Sequence, residues 1–338
     1  MSRRALVISR PGEIALLEKP GLEPERDAVV VRPVHCGICG TDLELLRGDV
    51  DPAYVDYPLT LGHEWSGVVE AVGEGVTGVA PGDRCVAEGI VPCGHCPSCL
   101  RGATNTCTTY DEIGFTREGG ASDQITVPSR LVHRLAPEVS LLDAALVEPT
   151  SVVLRALEKA NPAEGARVVI VGDGTIALLA AHLVRLWDPA EVVVVGRRSE
   201  QRELALAMGA TRFTTSDADA VDADLAIEAA GAVEAVGTAI RAAKRGATVS
   251  LIGLPPTGQA VQLPADLLVN NDLMLAASFS YTTSAWARVV QLLHEGRIGP
   301  GALVTHRFPL EAYDEAFAAL AAPSGARGKV VLDVSPDG

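Results

Sequence analysis

Two hydrophobic rhythms divide the chain near residue 150. Before that point, apolar residues come in short β-like runs at 29–32, 66–72 and 124–127, separated by turn signals such as Pro81-Gly82-Asp83. Short strands broken by frequent turns predict an irregular all-β barrel or sandwich. From residue 151 the rhythm alternates. Continuous apolar strands are predicted at 168–171, 192–195, 225–227 and 249–252, and helices at 151–160, 175–187, 199–208 and 233–244. Strands that are apolar on both faces and interleaved with helices indicate a parallel sheet covered on both sides. The tail, from about residue 284, carries two helical stretches, 285–294 and 310–320, and a strand at 329–334. The pattern alone leaves open whether this tail extends the sheet or returns to the first part.

Composition narrows the function classes. A chain of 338 residues suits two domains better than one core. The 33 glycines and 21 prolines show no fixed period, which excludes collagen-like and repeat architectures. A net charge of −15 repels phosphate backbones and anionic lipid heads, so neither nucleic acid nor a membrane is an expected partner. The apolar run 5–8 is too short for a signal-peptide core, and no apolar run approaches the ~20 residues of a membrane span. The expectation is a soluble, cytoplasmic protein. All seven cysteines fall between Cys36 and Cys107. Clustered cysteines in a chain of this size suggest metal or redox chemistry rather than a disulfide scaffold.

A dinucleotide site is expected where Gly172-Asp173-Gly174-Thr175-Ile176-Ala177 follows a predicted strand and opens a predicted helix. Gly172 makes the tight turn, Gly174 lets the backbone approach a pyrophosphate, and Ala177 replaces the commoner third glycine. The phosphates then sit on free N–H groups at the helix start, around Thr175 and Ile176. An NAD site usually has an acidic residue at the end of the second strand. Here Gly196-Arg197-Arg198 stands there. Glycine leaves room for a 2′-phosphate and paired arginines can bind it, so NADP is expected over NAD.

Cys93, Cys96, Cys99 and Cys107 follow the pattern C-x2-C-x2-C-x7-C. Four thiolates this close can wrap one tetrahedral zinc with no open position, which is a structural site. Two further segments carry catalytic chemistry, Cys36-Gly37-Ile38-Cys39-Gly40-Thr41-Asp42 and Gly62-His63-Glu64-Trp65. A catalytic zinc needs about three protein ligands and an open position. Cys39 and His63 are suitable, and a third must come from elsewhere.

Taken in order, the C-G-T-D and G-H-E segments, the four-cysteine lobe and the G-x-G-x-x-A loop resemble the zinc-containing medium-chain dehydrogenase/reductase superfamily. The resemblance implies a GroES-like β-barrel catalytic domain (1–150), a Rossmann doubly wound parallel-sheet domain (151–283), and a tail (284–338) that returns to the first. It selects Cys39 over Cys36 as a ligand, with His63 as the second. The third ligand in this family lies just before the cofactor domain, where Val147-Glu148-Pro149 resembles the polyol and sugar dehydrogenases, so Glu148 is implied. Thr41 would take the alcohol proton, Asp42 would hold the non-ligating nitrogen of His63, and Glu64 would stand near the metal and exchange with a ligand or water. Many relatives finish the proton relay with a histidine at the position of Glu44. Cys36 and Cys85 read as inert core thiols, and His35 and His95 have no clear role. The segment Glu112-Ile113-Gly114-Phe115-Thr116, Gly119-Gly120 and Trp65-Ser66-Gly67 also resemble bacterial sugar-alcohol and aminocyclitol dehydrogenases.

The expected activity is NADP-linked interconversion of an alcohol and a carbonyl in a polyol-like small molecule, by a homo-oligomer (dimer or tetramer, as the resemblance implies). A simple alcohol or aldehyde reductase is the second enzyme reading. A non-enzymatic NADP-binding protein is the third, and the intact Cys39, His63 and Glu148 set argues against it.

Overall fold

The strand expected at 29–32 runs over Ala28–Ile38 in the computed structural model, which describes residues 2–255 and 258–336. Every position of this strand except Arg32 is buried, so its run of β-branched residues meets protein on both faces. One edge pairs antiparallel with Glu64–Val72, from Val29↔Val72 to Gly37↔Glu64. The other edge is shared. Ile125–Pro128 pairs with its start, and Lys329–Asp333 pairs with its end, from Val330↔Ile38 to Asp333↔His35. The last strand of the chain is thus built into the middle of an N-terminal sheet.

That seven-stranded sheet runs in the order Val132–Arg134, Arg84–Ala87, Glu64–Val72, Ala28–Ile38, Lys329–Asp333, Val304–Pro309, with Ile125–Pro128 beside the start of the central strand. Ser2–Arg10 forms a second sheet with Glu13–Pro20 and Leu59–Thr60. Leu6 and Ile8 from the second sheet share one apolar cluster with Val29, Val31, Ile125, Val330 and Leu332 from the first. This is the β-rich barrel architecture expected of the first part.

The second unit holds six parallel strands in the order Arg212–Thr214, Glu191–Val195, Arg167–Val171, Ala223–Glu228, Ala243–Leu251, Met274–Ala277. Numbered along the chain this is the doubly wound order 3-2-1-4-5-6, which reverses direction between the first and fourth strands. Ligands bind such sheets at that reversal, beyond the carboxyl ends of the strands. The Gly-rich loop after Arg167–Val171 leads from there into the helix Thr175–Val184.

Several boundaries differ from expectation. The compact units are Met1–Glu148 with Tyr281–Ala322 and Lys329–Gly338, and Pro149–Ser280 with Pro323–Gly328. The tail is therefore not taken whole by the first unit, because side chains near the Gly-rich loop hold Pro323–Gly328, as described below. The helix expected at 151–160 begins at Val147 and places Glu148 in its first turn. The helix expected at 233–244 stops at Ala242, and the strand Ala243–Leu251 follows at once. The strands Arg212–Thr214, Met274–Ala277 and Val304–Pro309 were not foreseen. Each is short; Met274–Ala277 is apolar but mostly not buried, and Val304–Pro309 has no buried residue and no apolar run. Among the described residues, no helix is long and apolar enough to cross a membrane.

If the tail strand is part of the barrel core, Leu332→Ala should cost about 2–5 kcal/mol, since Leu332 is fully buried there. Urea unfolding followed by tryptophan fluorescence tests this. A loss below about 0.5 kcal/mol would mean that the strand is peripheral.

Candidate active site

Cys39 ends the extended run after Ile38 and caps the helix Gly40–Arg47. Asp42, fully buried in the first turn of that helix, folds its carboxylate back. Its Oδ2 accepts the Cys39 N–H at 2.7 Å, and its Oδ1 lies 3.5 Å from His63 Nδ1. Those two facing atoms are buried and make no hydrogen bond. Thr41 Oγ1 lies 3.8 Å from the Cys39 sulfur. His63 and Glu64 stand where the next strand begins. The Cys39 sulfur, a His63 ring nitrogen and a Glu64 carboxylate oxygen all lie within 4.8 Å of one another. With Nδ1 turned to Asp42, His63 presents Nε2 towards Glu64, 3.9 Å from its Oε1.

Glu148 is not in that group of three. It is close enough to act electrostatically on His63, Glu64, Glu112 and Lys329. The sequence reading missed two of these partners. Lys329, at the start of the tail strand, makes a fully buried ion pair with Glu64. Gly37 makes room for it, because a Cβ there would stand 2.8 Å from Lys329 Cε. Glu112, paired with Ile90 in a two-stranded ladder, also faces His63.

The electrostatics of this cluster are unbalanced. Burial pushes the Glu148 carboxyl up to about 8 and that of Glu112 up to about 7, with His63 opposing both shifts. Burial likewise raises Asp42. Burial lowers His63, but Asp42, Cys39 and Glu64 outweigh it and hold the imidazole well above its ordinary value. Four buried or half-buried carboxylates and a thiol thus share one lysine and one histidine. A divalent cation bound by sulfur, nitrogen and carboxylate oxygen would supply the missing positive charge, and zinc suits that donor set. The residues present fit a catalytic zinc.

The four-cysteine lobe passes a metric test. Its sulfurs are separated by 3.9 Å (Cys93–Cys99), 3.5 Å (Cys96–Cys99) and 3.9 Å (Cys96–Cys107). A tetrahedron of thiolates at a Zn–S distance of ~2.3 Å has edges of about 3.8 Å. A disulfide would need about 2 Å, and all seven cysteines are free. Backbone N–H groups already point at three sulfurs, from Cys93 to Cys107 at 3.3 Å, from Cys96 to Cys93 at 3.4 Å and from Cys99 to Cys96 at 3.5 Å. Such N–H groups lower the Cys93 and Cys96 thiols towards the thiolate that a metal needs.

In the second unit, Gly172 has φ +130°, and a Cβ there would stand 2.9 Å from the Ala229 carbonyl carbon. The turn therefore lies against the chain leaving the fourth strand. Gly174 caps Thr175–Val184, and a Cβ there would meet nothing within 4 Å. Open space before a helix N-terminus is what an incoming pyrophosphate requires. Thr175 and Ile176 open that helix and Ala177 is fully buried under it, so the loop fits a dinucleotide.

The arginine pair is arranged differently from the simple clamp expected. Asp173 Oδ2 accepts the N–H groups of both Arg197 and Arg198 at 2.9 Å, and Asp173 Oδ1 accepts Arg198 Nη2 at 2.9 Å. Arg198 is therefore tethered, while Arg197 is exposed. Gly196 also has another reason to be glycine, since a Cβ there would stand 2.7 Å from the Phe213 ring. Of the remaining residues, Cys36 and Cys85 are buried outside both metal clusters, and burial raises both thiols. His35 pairs with Asp333, His95 bonds the Cys93 carbonyl, and Glu44 is exposed.

Residues 25–137 match the alcohol dehydrogenase GroES-like domain family, and residues 143–322 match the glucose dehydrogenase C-terminus family. The chain is 32% identical to galactitol 1-phosphate 5-dehydrogenase of Escherichia coli (strain K12), over 91% of this chain and 92% of that protein. A zinc-binding dehydrogenase of Sinorhizobium meliloti 1021, solved with NADP, superposes with a TM-score of 0.92 at 30% identity, covering 99% of this chain and all of that one. An alcohol dehydrogenase of E. coli CFT073, complexed with NADH, superposes with a TM-score of 0.91 at 25% identity, covering 98% of this chain and 99% of that one.

Two outcomes follow from this geometry. Elemental analysis should find about two zincs per chain, and about one after Cys99→Ala. A count that does not change would remove the lobe from the metal sites. Lys329→Met should destabilise the protein by about 3–5 kcal/mol, because it strands the Glu64 carboxylate in the core. An unfolding free energy within about 0.5 kcal/mol of the parent would show that the ion pair carries no structural weight.

Proposed function

The chain belongs to the zinc-containing medium-chain dehydrogenase/reductase superfamily, and from that premise we propose that it moves hydride between NADP(H) and the secondary alcohol or ketone of a polyol, sugar or cyclitol. The observation that carries this reading is the excess of carboxylates around Cys39 and His63. We assign the zinc to Cys39, His63 and Glu148. Glu64 already has a counter-cation in Lys329, whereas Glu148 has only His63 and Lys329 against the like charges of Glu64 and Glu112. Glu64 stands at the remaining side, within reach of Cys39 and His63.

When bound, zinc supplies a Lewis acid that lowers the pKa of a substrate hydroxyl, and the nicotinamide supplies the hydride acceptor. The protein's own groups do the rest. Thr41, beside the Cys39 sulfur, relays the hydroxyl proton, accepting it at Oγ1 as it gives up its own. That proton leaves through water or through Glu44, which lies three residues further along the same helix, is exposed and stands in place of the family's histidine. Asp42 fixes the tautomer of His63 through Nδ1 and the start of the helix through the Cys39 N–H. The four-cysteine lobe is structural.

The polyol class is supported by Glu148 at the third ligand position and by the galactitol 1-phosphate enzyme among the relatives. Preference for NADP is supported by Arg197 and Arg198 and by the lack of an acidic residue at the end of Glu191–Val195. The net charge of −15 supports a small-molecule partner over nucleic acid, and we read the protein as a cytoplasmic homo-oligomer.

Glu148→Ala should lower turnover by more than about a hundredfold while NADPH affinity is kept, as expected when a metal ligand is lost. Unchanged turnover would move the third ligand to Glu64. Replacing Arg197 and Arg198 together with Ala should raise the Michaelis constant for NADP far more than that for NAD; equal effects would return the site to NAD. A panel of polyols, sugars, cyclitols and simple alcohols, followed by nicotinamide absorbance with each cofactor, tests the substrate class. Turnover confined to simple primary alcohols would contradict it.

A further inference from the structure

The segment Pro323–Gly328 belongs to the second unit, although the chain on both sides of it belongs to the first. Two side chains hold it. Gln201 is fully buried, and both ends of its amide are used. Nε2 donates to the Asp173 carbonyl at 2.5 Å and to the Arg327 carbonyl at 2.8 Å, while Oε1 accepts the Arg327 N–H at 2.7 Å. Thr175 Oγ1 donates to the Gly328 carbonyl at 3.5 Å. Asp173 is the middle residue of the Gly-rich loop and Thr175 opens the helix after it, so the segment is bonded to both.

The charges brought together there do not cancel. Arg198 is tethered to Asp173 by Nη2, but its Nη1 is buried without a hydrogen-bond partner. Arg327 stands beside the same pair. Burial and Arg198 lower its pKa, and Asp173 opposes them only in part. Arg197 follows Gly196 and is exposed. The guanidinium groups of Arg198 and Arg327 therefore share the single carboxylate of Asp173, which also accepts the Arg197 backbone N–H, with Glu200 turned towards the Gly325 amide. A buried guanidinium nitrogen left unpaired is costly unless an anion completes it. A phosphate dianion offers acceptor oxygens in the forked geometry that arginines match.

We infer that Arg327, positioned by Gln201, is the third cation of the site that reads the cofactor's 2′-phosphate. This inference rests on the NADP reading above. It also gives the buried glutamine a purpose, because a backbone clamp on both sides of Arg327 fixes where its side chain emerges.

Isothermal titration of the full-length, zinc-loaded enzyme with adenosine 2′,5′-bisphosphate and with adenosine 5′-monophosphate tests it without turnover. Arg327→Ala should weaken the bisphosphate about tenfold, as for one lost charged contact. It should leave the monophosphate within about twofold, and Arg327→Lys should restore part of the loss. Gln201→Leu should shift the same ratio in the same direction. If the parent enzyme prefers the bisphosphate and Arg327→Ala prefers it equally, the inference fails while the NADP reading stands. If the parent shows no preference, both fail. Equal weakening of both ligands by Gln201→Leu would reduce that residue to a structural role and overturn its part in the inference.

Discussion

Burying charge is the constraint on which the first unit depends. Asp42, Glu64 and Lys329 are almost wholly removed from water, and Glu112 and Glu148 crowd the same imidazole. Each isolated charge would cost several kcal/mol in such a place. The fold meets part of that cost with one long-range ion pair. Lys329 reaches Glu64 only because Lys329–Asp333 pairs with the end of Ala28–Ile38, whose other edge carries the Glu64 strand. Gly37 lies between them and leaves the space the pair occupies. The return of the tail to the barrel is therefore part of the active site's construction. The charge that lysine and histidine leave uncompensated is what a zinc ion would meet.

The two proposed zinc sites would solve different problems with different donors. In the four-cysteine lobe, soft sulfurs at tetrahedral spacing, partly satisfied by backbone N–H groups, leave no open position. That arrangement can only hold structure together. At Cys39 and His63 a single thiol and an imidazole lie among carboxylates, with one Asp42 oxygen accepting the Cys39 N–H and the other facing His63 Nδ1. At a zinc held there, fewer strong ligands and a fixed outer shell would keep a position free for substrate.

Local features were legible in the sequence and distant ones were not. The Gly172-Asp173-Gly174 turn and the cysteine spacings could be read because neighbours along the chain make them. The alternation of buried strands and helices after residue 150 could be read for the same reason, and it indicated a parallel sheet covered on both faces, while the doubly wound class came from the family resemblance. Glu64 was placed near the metal, but its partner lies 265 residues away, in a strand with no motif of its own. Gln201 read as an ordinary helix residue, since nothing local marks a side chain that bonds a tail 126 residues on. Gly196 was read as room for a phosphate, while its contact with Phe213 depends on a neighbouring strand that the pattern did not reveal. The missed strands are short or stand where one face meets water, and there the apolar signal is weakest.

In the second unit, Asp173 is to the cofactor loop what Asp42 is to the metal: one carboxylate that organises the cations and amides around it. The central claim remains the open, mixed-donor zinc site. X-ray absorption at the zinc edge of the fully loaded enzyme tests it most directly. With four sulfurs at one zinc, and one sulfur with about three nitrogen or oxygen donors at the other, the average shell should be about 2.5 sulfurs and 1.5 nitrogen or oxygen atoms per zinc. An all-sulfur shell would contradict the account, because it would leave Cys39, His63 and the carboxylates around them without a metal.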